Sequence, residues 1–225
     1  MQYKMINQDE LNEILRLHDL WLEGDIAGRR AVLRHTKMES PNLRWADLRG
    51  ADLYAATLPQ ADLREAKLDN ADLREAFLEG ADLRQVHLNA ADCCGATMWG
   101  ADMRWADIRG ANLVGAHISG ADLRFADLRD ASFNGANMPN CDLRGASMSE
   151  ASFREADMAG ADLRGLDLRG CDLRGCVLID ADLRGCDLRC MDLSRADLTG
   201  ADLRGARFEG AILKEVIGIH ELVRG

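Results

Sequence analysis

Aromatic residues are scarce in this 225-residue chain, at 5%, and it holds only three prolines. Rings supply much of the buried area in an ordinary globular core, so a core here has to be built from small and medium aliphatic side chains. No run approaches the roughly 18 apolar residues of a membrane span. The opening Met1–Asn7 lacks the long apolar stretch of a secretory leader. Basic residues number 28 against 38 acidic ones, a formal charge of −10. Direct nucleic-acid binding normally rests on a basic footprint, so that partner class is disfavoured. The seven cysteines are odd in number and follow no disulfide-framework spacing, which fits a reducing cytoplasm. No Gly-rich phosphate loop precedes a helical stretch.

What the sequence does have is a repeat. From Ala31 to Glu215 it divides into 37 five-residue units without an insertion or deletion. Ala61-Asp62-Leu63-Arg64-Glu65 is typical. We name the five positions small, polar, centre, outer and corner. Ala fills the small position in 28 units, and the centre is Leu in 25 and otherwise Met, Ile, Phe or Cys. A period of five matches neither the 3.6 of a helix nor the 2 of a flat strand. It suits a chain that turns a corner every five residues. Small and centre residues then point inward, and the other three face water. Ala beside Leu fills a narrow lumen, and Gly at many corners tolerates the tight turn.

The A-D-L-R-G pattern resembles the pentapeptide-repeat family. The resemblance implies an all-β fold, a right-handed quadrilateral parallel β-helix with four units per 20-residue coil. That gives about nine coils over 31–215, a rod ~45 Å long at the ~4.8 Å spacing of strands. Residues 1–30 are then a lead-in, and 216–225 a C-terminal cap or dimer contact. Within the lead-in, residues 8–23 read as an amphipathic helix, with Asn7 and Glu10 as a capping box and Gly24 as its stop. Leu11, Ile14, Leu15, His18 and Leu22 share one face, which is expected to cover the first coil. At the far end Val216, Ile217, Ile219, Leu222 and Val223 are apolar and read as off register. In DNA-mimicking members of the family this end dimerises.

With 20 residues per coil, each face can be read as columns. On the face opening at Pro41, the outer column is Arg44, Arg64, Arg84, Arg104, Arg124, Arg144, Arg164, Arg184 and Arg204. Its polar column is Asn42, Asp62, Asp82, Asp102, Asp122, Asp142, Asp162, Asp182 and Asp202. The two columns are expected to neutralise each other as a self-paired ladder, with a docking strip as the sharper alternative. The face opening at Thr36 departs most from consensus. It carries Phe77, Trp99, His117, Val177 and Ile179 where polar groups usually stand, and it is the candidate partner surface. Trp45, Trp105 and Phe125 fall on the corner after the ladder face and are expected to pack over the Arg stems.

Nothing in this pattern converges on a catalytic pocket. Aspartate every five residues is the signature of the repeat, not of acid–base chemistry. Cys141, Cys171, Cys176 and Cys186 occupy small positions and Cys93 a centre, all inward, while Cys94 and Cys190 point out. Zinc needs about four converging ligands, and these do not converge. No catalytic, cofactor or metal residue is therefore expected. The sequence suggests a non-enzymatic scaffold for a protein partner, with no membrane contact. The family resemblance adds an alternative, a DNA-mimicking regulator or protector of DNA gyrase.

Overall fold

The computed structural model describes residues 3–219. One spacing organises the backbone. Residues twenty apart pair in parallel bridges, from Val32 with Asp52 to Asp197 with Ile217. Four five-residue units therefore bring the chain back to the same column. In the unit opening at Ala61, three N–H groups reach neighbouring coils. Asp62 donates to the Pro41 carbonyl (3.0 Å), Leu63 to that of Asp82 (2.8 Å) and Glu65 to that of Arg84 (3.0 Å). A fourth, from Ala61, closes a turn on the Leu58 carbonyl at 3.3 Å. The fifth, from Arg64, goes to Asp62 Oδ1 at 3.3 Å. Every backbone donor of the unit is thus accounted for, as a stacked coil requires.

That turn places every corner from His35 to Glu215 at positive φ. Glycine meets this freely, but twenty corners are other residues, with φ between 44° and 65°. A side chain there costs roughly 1 kcal/mol or more. At eighteen of the twenty, the corner N–H donates to a carbonyl of the next coil and holds the residue in place. The lumen is filled as the repeat implies: small and centre residues from Ala31 to Leu198 are almost all inaccessible. Two centre phenylalanines on successive coils, Phe133 and Phe153, stack inside with centroids 4.9 Å apart. The polar position departs from expectation. Its residues are mostly half-buried, and Asp52 is fully buried. The cause is that its carboxylate folds back toward the backbone.

At the N-terminal end, strand β1 (Lys4–Met5) pairs in parallel with β2 (Thr36–Lys37). This pairing has no signal in the repeat, because β1 lies outside it. Between them runs helix α1 (Gln8–Leu22), one residue shorter than expected. Its capping box is present: Glu10 N–H donates to Asn7 Oδ1 (2.9 Å), and Asn7 N–H to Glu10 Oε2 (3.1 Å). Leu11 and His18 are fully buried, with Ile14 and Leu15 packed beside the same apolar cluster. Gly24 follows at φ 80°.

The reading of Val216 and Ile217 as off register is corrected. Ile217 pairs with Asp197 at the same twenty-residue offset, and its N–H donates to the Ala196 carbonyl at 3.0 Å. The backbone ladder continues because pairing needs only the main chain, whatever the side chains. Among the described residues, Leu203, Phe208, Leu213 and Val216 are only partly buried. Leu222 and Val223 lie outside the described residues.

Candidate functional site

The ladder face is the most regular surface. Asp62 Oδ1 accepts the N–H of Arg64 two residues on, and the same bond recurs at all eight aspartates to Asp202, at 3.2–3.3 Å. It does not need the arginine. Tyr54 and Cys94 donate to Asp52 and Asp92 in the same way, and Asn42 and Asn112 accept it in place of aspartate. The carboxylate is first a backbone partner, a local side-chain turn of the kind Asp and Asn favour. Reading the sequence as charge alone missed this role. Its signal was the restriction of so many polar positions to Asp, Asn and Ser.

Each arginine of the column then forks its own aspartate. From Arg64 to Arg204, Nε lies 2.8–2.9 Å from Oδ1 and Nη2 lies 2.5–2.6 Å from Oδ2. From Arg64 to Arg184 the Nε also comes within 3.4–3.6 Å of the aspartate one coil on. The fork holds the Asp62 carboxyl below its usual range and takes that of Asp202 down to about 2. The face is a continuous, internally neutralised ladder. Arg44 is its exception. It stands beside Asn42 and lies over the Trp45 ring at 3.9 Å.

The Thr36 face has no such ladder. Phe77 is 43% exposed and Trp99 48%. Trp99 meets His117 of the next coil edge-on, with centroids 6.5 Å apart. His117 is exposed, whereas Val177 and Ile179, three coils further along, are half-buried. The five residues thus form a patch around Trp99 and a separate, flatter one at Val177. On the aromatic corner, Trp45 does pack with an Arg stem. Trp105 and Phe125 instead stack on each other, 4.4 Å apart and 14° from parallel. Among the described residues no three His, Cys, Asp or Glu side chains gather as metal ligands, and no helix is long and apolar enough to cross a membrane.

A family profile described as pentapeptide repeats matches in eight copies, over residues 29–54, 46–85, 87–124, 126–165, 137–175 and 176–214. The chain belongs to the pentapeptide-repeat family. No curated protein sequence matches it. Among solved structures it is similar to HetL, a pentapeptide-repeat protein involved in heterocyst differentiation regulation from the cyanobacterium Nostoc sp. strain PCC 7120. Identity there is 29% over 94% of each chain, with a TM-score of 0.42. It is also similar to a trypsin-treated variant of QnrB1, a plasmid-mediated fluoroquinolone resistance protein. That match has 21% identity over 80% of this chain and 86% of that one, with a TM-score of 0.57. In a pentapeptide-repeat β-helix the lumen is common property, so what sets this member apart is which outer, polar and corner positions leave the consensus.

Proposed function

We propose that this pentapeptide-repeat protein is a non-enzymatic rigid scaffold that binds a protein partner through its Thr36 face. The observation that carries the reading is the outward Trp99 with His117 and Phe77 beside it. They sit on the face with no ion-pair ladder, where the repeat normally puts polar groups. Exposed aromatics of this kind are favoured anchors of protein interfaces. Val177 and Ile179 add a second, separate patch on the same face toward the C-terminal end. The rod itself is a right-handed quadrilateral helix of about nine coils over 31–215, and α1 closes its N-terminal end. The part-exposed Leu203, Phe208 and Leu213 support a homodimer contact at the other end. The protein works in the cytoplasm and needs no cofactor.

The test is a double variant, Trp99→Ser with Phe77→Thr, beside an Arg84→Ser, Arg104→Ser control. Neither aromatic supports the lumen, so the thermal midpoint stays near wild type. Capture of the native partner falls at least about tenfold. Loss of capture only in the control would move the interface to the ladder. The second reading is a DNA-mimicking protector of gyrase, and the overall acidity (−10) favours it. The forked arginines argue against it, because mimicry of duplex DNA needs a strongly negative face. A gyrase supercoiling assay with and without the protein separates the two.

A further inference from the structure

The corner that follows the ladder face carries a second surface, distinct from the Thr36 face. Trp105 is 59% exposed and Phe125 48%. Their rings lie flat along the corner, one over the other. The stack continues onto Gly145, where Phe125 Cδ1 lies 2.6 Å from the place a β-carbon would take. The glycine leaves room for the ring.

The charges on either side of this corner have an order. Across the Trp105 level they run Asp102, Arg104, the aromatic corner, Asp107, Arg109. Both acid–base pairs are forked, with Nε–Oδ1 distances of 2.8 and 2.7 Å. The next coil repeats the row with every number raised by twenty and Phe125 at the corner, its forks again at 2.8 Å. Negative, positive, ring, negative, positive is antisymmetric about the ring. A surface complementary to it must carry the same row reversed, at the same ~4.8 Å rise between levels. A two-fold axis parallel to the rod and passing beside this corner generates that surface from the protein itself. Ring then meets ring, each Arg column meets an Asp column, and every coil keeps the height of its mate. The forks need not break, since each guanidinium keeps N–H groups and each carboxylate keeps lone pairs beyond those used.

The row is interrupted on the coils either side of the rings. One coil before it, the positions from the corner onward are Gln85, His87 and Asn89. One coil after it, they are Gly145, Ser147 and Ser149. The same charge row returns at Asp162, Arg164, Asp167 and Arg169 and at Asp182, Arg184, Asp187 and Arg189, but with Gly165 and Gly185 at the corner, so the stacked rings are what single out the two levels of Trp105 and Phe125. An aromatic centre inside a charged rim is the usual anatomy of a specific interface, and the isologous two-fold is the commonest symmetry of homodimers.

We propose that a second copy of this chain docks here, forming a side-by-side dimer of parallel rods centred on Trp105 and Phe125. The contact is small, so the dimer is weak and sensitive to salt. Sedimentation equilibrium of the full chain over a concentration series reads it. Trp105→Ser with Phe125→Ser weakens association at least about tenfold without lowering the thermal midpoint. Arg104→Asp and Asp107→Arg each weaken it alone. An equal mixture of those two single variants restores it, because each then meets its complement on both sides of the axis. With Cys94→Ser and Cys190→Ser as background, Gln85→Cys forms a disulfide-linked dimer on oxidation, since parallel rods bring residue 85 near its own mate. A chain that stays monomeric at every concentration overturns the proposal. So does association that loss of both rings leaves undiminished, a mixture that fails to rescue, or a Gln85→Cys chain that fails to cross-link.

Discussion

The Nδ1 atom of His18 accepts the backbone N–H of Ala31 at 3.0 Å, and the imidazole is fully buried where α1 meets the first coil. The ring stacks on Trp21, 5.2 Å away, and its buried Nε2 has no hydrogen-bond partner. Accepting at Nδ1 requires the neutral ring. A proton there would set donor against donor and leave a charge inside.

A pH dependence follows. Burial pushes the His18 pKa down; the Arg49 backbone, Asp47 and Asp19 oppose this in part, and Arg30 adds to it. A group harder to protonate folded than unfolded contributes fully above its unfolded pKa, ~6.5, and less as pH falls below it. The thermal midpoint is therefore expected to drop between neutral pH and pH ~5.5, by about 2–4 °C for each kcal/mol lost. His18→Asn keeps an acceptor for Ala31 but cannot titrate, so its midpoint should be flat over that range. An equal slope in both proteins would remove His18 as the cause.

The double role of the ladder aspartates gives a second test. Asp122 Oδ1 accepts the Arg124 N–H at 3.2 Å and Arg124 Nε at 2.8 Å. Asp122→Asn keeps the backbone bond and loses the ion pair, which is half-exposed and contributes little. Asp122→Ala loses both. The alanine variant is expected to be less stable than the asparagine variant by about 1 kcal/mol, measured by urea unfolding. Equal losses would mean that charge, not the backbone bond, holds aspartate at this position.

The neighbouring pair Leu123 and Arg124 tests inside against outside. Leu123 is inaccessible in the lumen. Leu123→Asp puts an unpaired charge there and should cost roughly 4 kcal/mol or more. Arg124→Ser removes an exposed pair and should cost about 1 kcal/mol or less. Comparable losses in calorimetry would contradict the register.

Native thiol chemistry tests the same register from the cysteines. Cys93, Cys141, Cys171, Cys176 and Cys186 are buried. Burial pushes the Cys93 and Cys141 thiols up to about 12, and Cys141 Sγ donates to the Ile118 carbonyl at 3.0 Å. A thiol reagent should modify only Cys94 and Cys190 in the folded protein and all seven cysteines after unfolding. Seven equal rates without denaturant would place the other five outside.

The lumen was legible in the sequence because a five-residue period leaves Leu123 and Ala121 nowhere else to point. The capping box at Asn7 and Glu10 was legible because it is local. The β1–β2 pairing was not, since two residues outside the repeat carry no pattern. The second duty of Asp122 was hidden because aspartate beside arginine already has an obvious reading as charge. The corner stack was half visible: Trp105 and Phe125 could be put in one column, but whether rings lean on arginine stems or on each other depends on side-chain direction. Gly145 decides that by giving Phe125 somewhere to lie.

A coil of four interchangeable units has a consequence for how such a rod can change length. Deleting one unit, residues 131–135 for instance, would leave small and centre residues alternating in the lumen as before. Every surface beyond the cut would nevertheless turn by a quarter, and Val177 and Ile179 would leave the line of Trp99 for the adjacent side. Only gains or losses of twenty residues are silent to the outside. The interior tolerates steps of five and the exterior steps of twenty, so a surface spread over several coils fixes the length of chain between its parts.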